Sequence, residues 1–306
     1  MSLNPNGWLS RAIMRPFNFG SGIVSIAIKQ QEDAVMSKRY EDLGFTDDFI
    51  FCKTLENNPD LARELLELIL DIRISGVRLA QSQKSLKFTA LDRGVRFDVY
   101  VEDENHSVYD IEMQTTDSPD LAKRARYYQA MIDLDTVEKG EDLRNLRNSY
   151  VIFICTRKPH GFSANLPIYT FKTQCQEDHS LILNDKTTKV FVNSQGTFDF
   201  VSEKLQHFLL YLRDQQPRDT FTEKLEAMVR EIWASKNWRH EYMTLEMKLK
   251  EQFNLGKEEG IIEGIRPLYQ AVADGVLPVD YAAKILKITE EEVLKNAKAY
   301  AKDSMA

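Results

Sequence analysis

The sequence predicts an α/β fold: a mixed central sheet flanked by helices, followed by an α-helical C-terminal extension. Three observations predict it. Residues 95–101 (VRFDVYV) and 108–114 (VYDIEMQ) alternate apolar and polar side chains around a polar turn, the period-two pattern of paired strands. Residues 149–156 (SYVIFICT) form a continuous apolar run, as in a strand buried on both faces. After Phe198 the pattern changes to helical period with high charge.

Taken in order, residues 1–40 hold scattered Gly, Asn and Pro without a sustained period. They are expected to be disordered or loosely packed. Met36 opens MSKRYEDLGFTDDFIF, which reads like a natural start, so residues 1–35 are expected to be an upstream extension or a flexible arm. A helix is predicted from Thr46, with Asp47 and Asp48 in its first turn and Phe49, Cys52 and Leu55 inward. Asn57-Asn58-Pro59 ends it, and Pro59 starts a second helix to Leu70 with Leu61, Leu65, Leu68 and Ile69 inward. Strands follow at 74–80 and 85–91, then the pair at 95–101 and 108–114. Ser118-Pro119-Asp120 starts a helix to about residue 138, with Leu121, Ala125, Tyr128 and Ile132 as its packing face. Beyond 149–156, short strands are predicted at 167–172 and 188–193. Helices follow at 199–213 and 218–265, then short ones at 267–274, 279–286 and 290–302. The expected division is a globular domain over 41–215 and the helical extension over 216–306.

The chain has 306 residues and a net charge of −7. That acidity argues against a protein that coats nucleic acid non-specifically, but leaves room for a local basic patch beside acidic ligands. Three widely spaced cysteines give no disulfide framework and fit a reducing compartment. No apolar run approaches the ~20 residues a membrane span needs. The stretch Gly22 to Ile28 is too short and too poorly flanked for a signal peptide. A cytoplasmic protein without a membrane partner is expected.

A hairpin symmetric about the loop 103–107 sets Asp98 opposite Glu112, Val99 opposite Ile111 and Phe97 opposite Met113. Phe97, Val99, Val101, Ile111 and Met113 then share one apolar face. Asp98, Tyr100, Asp110, Glu112 and Gln114 share the other, with Arg96. Two facing carboxylates repel unless a cation sits between them. Mg²⁺ or Mn²⁺ bound by Asp98 and Glu112 meets that need and can activate water. Gln114 projects to the same side, and its amide is placed to orient that water. A second reading fits the same pattern: the solvent face of an amphipathic sheet. Asp48, in the first helix, is a further candidate to line the metal site, although its dipole role alone accounts for it.

The run RFDVYVEDENHSVYDIEMQ resembles the core of the PD-(D/E)XK nuclease superfamily, an Asp followed by Glu-x-Lys on the next strand. More closely, it resembles the Rpn family of recombination-promoting nucleases, also described as transposases. FTDDFIFCKTL (45–55), KRARYYQAMID (123–133) and the charged Gly/Glu repeat near 256–264 also resemble that family, over about residues 36–265 in all. The resemblance implies a restriction-endonuclease-like core with Asp98 and Glu112 as metal-binding residues. Gln114 stands where the wider superfamily has Lys, as it does in members of the Rpn family. Glutamine brings no charge, and Lys123 or Arg124 in the next helix could supply it. Arg126 and Tyr127 are candidates for contact with DNA phosphate or sugar. Gln129 is a candidate site-lining residue by resemblance.

The function this implies is metal-dependent endonucleolytic cleavage of DNA, tied to recombination or a mobile element, with a homodimer as a mild expectation. The alternative is a decayed nuclease fold acting as a DNA-binding or assembly protein. A defence effector would share the same chemistry.

Overall fold

The computed structural model describes residues 38–86, 95–137 and 140–303. The expected N-terminal extension, apart from its last residues, and part of the strand at 85–91 lie outside the described residues. One compact unit spans Arg39–Tyr242, and a second includes the residues from Met243 onward.

The first unit opens with α1 (Asp48–Glu56) and α2 (Pro59–Leu70). Asp47 rather than Thr46 takes the N-cap position of α1, and its carboxylate accepts from the Gly44 amide at 2.8 Å. Phe49, Ile50, Phe51, Cys52 and Leu55 are all buried, so α1 is packed on more than the one face its sequence suggested. Proline at the first position opens α2, where its missing N–H costs nothing. Leu66, not Leu68, turns inward with Leu61, Leu65 and Ile69. The chain leaves α2 through Asp71, at φ 52°.

The strands are β1 (Val77–Ser82), β2 (Ser85–Leu86), β3 (Val95–Arg96), β4 (Val99–Asp103), β5 (Val108–Gln114), β6 (Ser149–Cys155), β7 (Ile168–Phe171) and β8 (Thr187–Asn193). Among the described residues six of them form one sheet in the order β1-β4-β5-β6-β8-β7. The β5–β6 and β6–β8 pairs are parallel and the remaining pairs antiparallel, giving the expected mixed sheet. Parallel neighbours need a crossover, and α3 (Leu121–Thr136) supplies it between β5 and β6. Leu121, Ala125 and Ile132 of α3 join Tyr100, Val108, Val151, Phe153 and Phe191 in one apolar cluster beneath it. On the other face, rings from Phe45, Phe51, Phe208 and Tyr211 pack together. This joins α1 to α4 (Glu203–Asp214), which Ser202 caps by accepting from the Leu205 amide. Next comes α5 (Thr220–Ala234), opened by a reciprocal capping box between Asp219 and Thr222.

The hairpin register is as expected where the strands are regular, with Val99 opposite Ile111 and Tyr100 opposite Asp110. Phe97 departs from the expectation. Its ring lies 5.8 Å from Tyr100 and 5.5 Å from Tyr128, on the α3 side, not with Val99 and Ile111. The cause is a break in the strand. β3 pairs with β2 in a separate two-stranded ladder, the backbone bends at Asp98, and β4 begins only at Val99. Alternation cannot be counted through such a bend.

The expected separate helices at 218–265 and 267–274 are also divided differently. After α5, a single α6 (Lys236–Ala273) runs through Pro267. A proline removes its own N–H donor from the helix, and that one gap does not end it here. In the second unit, Tyr269 and Val272 of α6 cluster with Ala282, Ala283 and Leu286 of α7 (Val279–Leu286) and with Val293 and Ala297 of α8 (Glu290–Asp303). No described helix is long and apolar enough to cross a membrane.

Candidate active site

Strand alternation puts Asp110, Glu112 and Gln114 of β5 on one face. All three are buried, with 0%, 3% and 7% exposure. α3 covers that face, so the solvent-face reading of the hairpin falls away.

Two bonds tie Asp98 to β5, one to Glu112 and one from Met113. The Asp98 amide donates to Glu112 Oε1 at 2.9 Å, and the Met113 amide donates to Asp98 Oδ2 at 3.0 Å. The bend at Asp98 makes this arrangement available, because its N–H is free of the β4 ladder. Behind them, the fully buried Asp110 carboxyl has the Glu112 side chain as its hydrogen-bond partner. Burial and the neighbouring Glu112 hold the Asp110 carboxyl well above the usual range. Burial also raises Glu112, against the pull of the Asp98 amide and Arg124. Burial, then the charges of Glu112 and Asp48, push Asp98 up to about 8. Three acidic groups with raised pKa values in one place are the kind of cluster that functional sites concentrate.

From α1, Asp48 reaches the same place. Ligand atoms of Asp48, Cys52 and Asp98 lie within 4.8 Å of one another. Asp48 is exposed and lies 3.7 Å from Arg96, so it forms the open side of the cluster. Cys52 is a poor ligand there, because burial keeps its sulfur protonated. It donates to the Asp98 carbonyl at 3.3 Å, tying α1 to the bend. With Cys52 set aside, the carboxylates of Asp48 and Asp98 are the ligand atoms that converge, and Glu112, bonded to the Asp98 amide, stands next to them. Such a set fits a small hard divalent cation.

Arg124, in the first turns of α3, completes the site. Nη1 donates to Gln114 Oε1 at 2.7 Å, while Nη2 lies 3.5 Å from Glu112 Oε2 and 3.2 Å from the Tyr128 hydroxyl. The Gln114 Nε2 donates to the Thr116 carbonyl at 2.7 Å and to its hydroxyl at 2.9 Å. Tyr128, read from sequence as core, does both: its ring packs on Phe97 and its hydroxyl meets Arg124.

A family model described as PD-(D/E)XK nuclease family transposase matches residues 40–195. The chain belongs to that family. No curated protein and no solved structure gives a significant match. The mixed sheet with flanking helices is a PD-(D/E)XK arrangement, and the matched span contains every acidic residue of the cluster.

Of the residues singled out in the sequence of this PD-(D/E)XK chain, Asp48, Asp98, Glu112, Gln114 and Arg124 come together. Lys123, Arg126 and Tyr127 lie on the exposed side of α3. Gln129 does not reach the cluster. Its amide donates to Ser149 Oγ at 2.5 Å and to Asp133 at 3.1 Å. Ser149 pairs with Val108, at the end of β5 away from Gln114. The sequence marked Cys52 and Tyr128 as packing residues and Thr116 not at all, since a bond across elements leaves no local pattern.

Proposed function

We propose that the chain is a divalent-metal-dependent DNA endonuclease. The observation that carries this is the interlocked pair Asp98 and Glu112, buried against Arg124 in a family of nuclease-type transposases. In this reading Asp98 and Glu112 hold Mg²⁺ or Mn²⁺, and Asp48 reaches it from the open side. The ion supplies acidification of water and neutralisation of charge on the phosphate. The chain's own residues do the rest. The two backbone amides fix the carboxylate orientations, and Asp48 leaves the cluster open to solvent. Lys123, Arg126 and Tyr127 offer phosphate or sugar contacts along the exposed side of α3. Hydrolysis adds a water oxygen to phosphorus and breaks one P–O ester bond, giving an alcohol and a phosphomonoester. The transposase description of the family supports a role in a mobile element or in recombination.

Supercoiled plasmid incubated with Mg²⁺ or Mn²⁺ tests the reading. Wild type is expected to nick it and Asp98→Ala is expected to be inactive. Equal nicking by both proteins exposes a contaminant. Absence of nicking by wild type favours a DNA-binding protein on a decayed nuclease fold.

A further inference from the structure

We propose that Gln114 is a positioning residue whose amide holds Arg124, and that the Arg124 guanidinium is the cation that meets the scissile phosphate. This rests on the nuclease reading above and assigns the site's positive charge to a helix residue.

The amide of Gln114 is already committed. It has two N–H donors and one carbonyl acceptor. Both donors point at Thr116, to the carbonyl at 2.7 Å and the hydroxyl at 2.9 Å. The carbonyl accepts from Arg124 at 2.7 Å. The orientation is over-determined. Turning the amide over would set oxygen against the Thr116 carbonyl and N–H groups against a guanidinium, which only donates. No donor remains to hold a water molecule, and the side chain is 7% exposed.

Arg124, by contrast, is held on several sides and still accessible. It touches Gln114, Glu112 and Tyr128, and its guanidinium carbon lies 5.2 Å from the Phe153 ring centre and 5.5 Å from that of Tyr128. Its side chain keeps 29% exposure. A planar cation fixed in this way has donors left for a phosphate, and its charge persists at any working pH. Arg96, a second arginine near the cluster among the described residues, is paired with Asp48 on the open side. Among the described residues, Arg124 is the cation bonded to the buried carboxylate and to the glutamine together.

Cleavage kinetics on a short duplex with Mn²⁺ test this, using Arg124→Gln, Gln114→Ala, both together, and Gln114→Lys combined with Arg124→Gln. Arg124→Gln is expected to lower kcat about a hundredfold with KM changed less than about threefold. Gln114→Ala is expected to add no loss in the Arg124→Gln background, because it acts through Arg124. Gln114→Lys is expected to restore at least about tenfold to Arg124→Gln by returning a charge to the site. Calorimetric Mn²⁺ binding by Arg124→Gln is expected to be no weaker than wild type, which separates a role toward phosphate from a role in building the metal site. Should Arg124→Gln fail to fold, Arg124→Lys replaces it, with partial activity expected and again no further loss from Gln114→Ala.

Wild-type cleavage with Asp98→Ala inactive, but with additive losses at 114 and 124 or full activity in Arg124→Gln, overturns this inference alone. Loss of Mn²⁺ binding in Arg124→Gln also overturns it. A wild-type protein that neither binds Mn²⁺ nor cleaves overturns the nuclease reading, and this inference with it.

Discussion

Asp98 shows how burial and like charge combine on one side chain. Its folded pKa of about 8 stands above the ~3.9 of a free aspartate. The native metal-free protein therefore holds a proton that the unfolded chain releases across that interval. The resulting stabilisation is full below about pH 4 and is lost as pH rises through about 8. The melting temperature of the metal-free protein is expected to fall between pH 5 and 9, and Asp98→Asn is expected to flatten that fall. Added Mn²⁺ is expected to raise the melting temperature most at the alkaline end, since the ion competes with the proton. A metal-free melting temperature that climbs over the same range contradicts the account. At this scale the sequence was partly legible. The turn alone brought Asp98 and Glu112 into the same neighbourhood, although the bend at Asp98, not a ladder pair, makes their contact. The identity of the cation beside them could not, because Arg124 reaches Gln114 only through the docking of a helix on a strand.

Elements with a strong local signal lie where the sequence placed them. Pro59 starts α2, SYVIFIC is a doubly buried parallel strand, and Val279–Leu286 is a helix. The misplacements share one cause. Phe97 and the residues around Pro267 depend on whether a regular element continues through a local irregularity, and neighbouring structure decides that. β2 captures β3 and so bends the chain at Asp98. The capping box of α5 offers a test at this scale. Asp219 accepts from the Thr222 amide at 2.8 Å, and Thr222 Oγ1 accepts from the Asp219 amide at 3.0 Å. Asp219→Ala is expected to cost about 1 kcal/mol, read as a lower denaturation midpoint with an unchanged slope. No change in midpoint would show that the cap is redundant.

For the molecule as a whole, a net charge of −7 means that any nucleic acid is attracted locally, against the average field. The exposed side of α3 is the place for that attraction in the proposed function. Lys123→Ala and Arg126→Ala are each expected to reduce the slope of log affinity for DNA against log salt concentration by about 1. A slope unchanged in both variants would place the DNA elsewhere. The mixed sheet itself carries one further consequence. β5 is bonded on both edges, to β4 and β6, and both of its faces are covered. Glu112 and Gln114 are thus set in a strand whose amides are expected to be among the slowest to exchange with solvent, while Asp48, Asp98 and Arg124 reach them from outside it. The strand then acts as a fixed wall, and any adjustment that brings a reactive phosphate into line falls to the residues around it and to the incoming molecule.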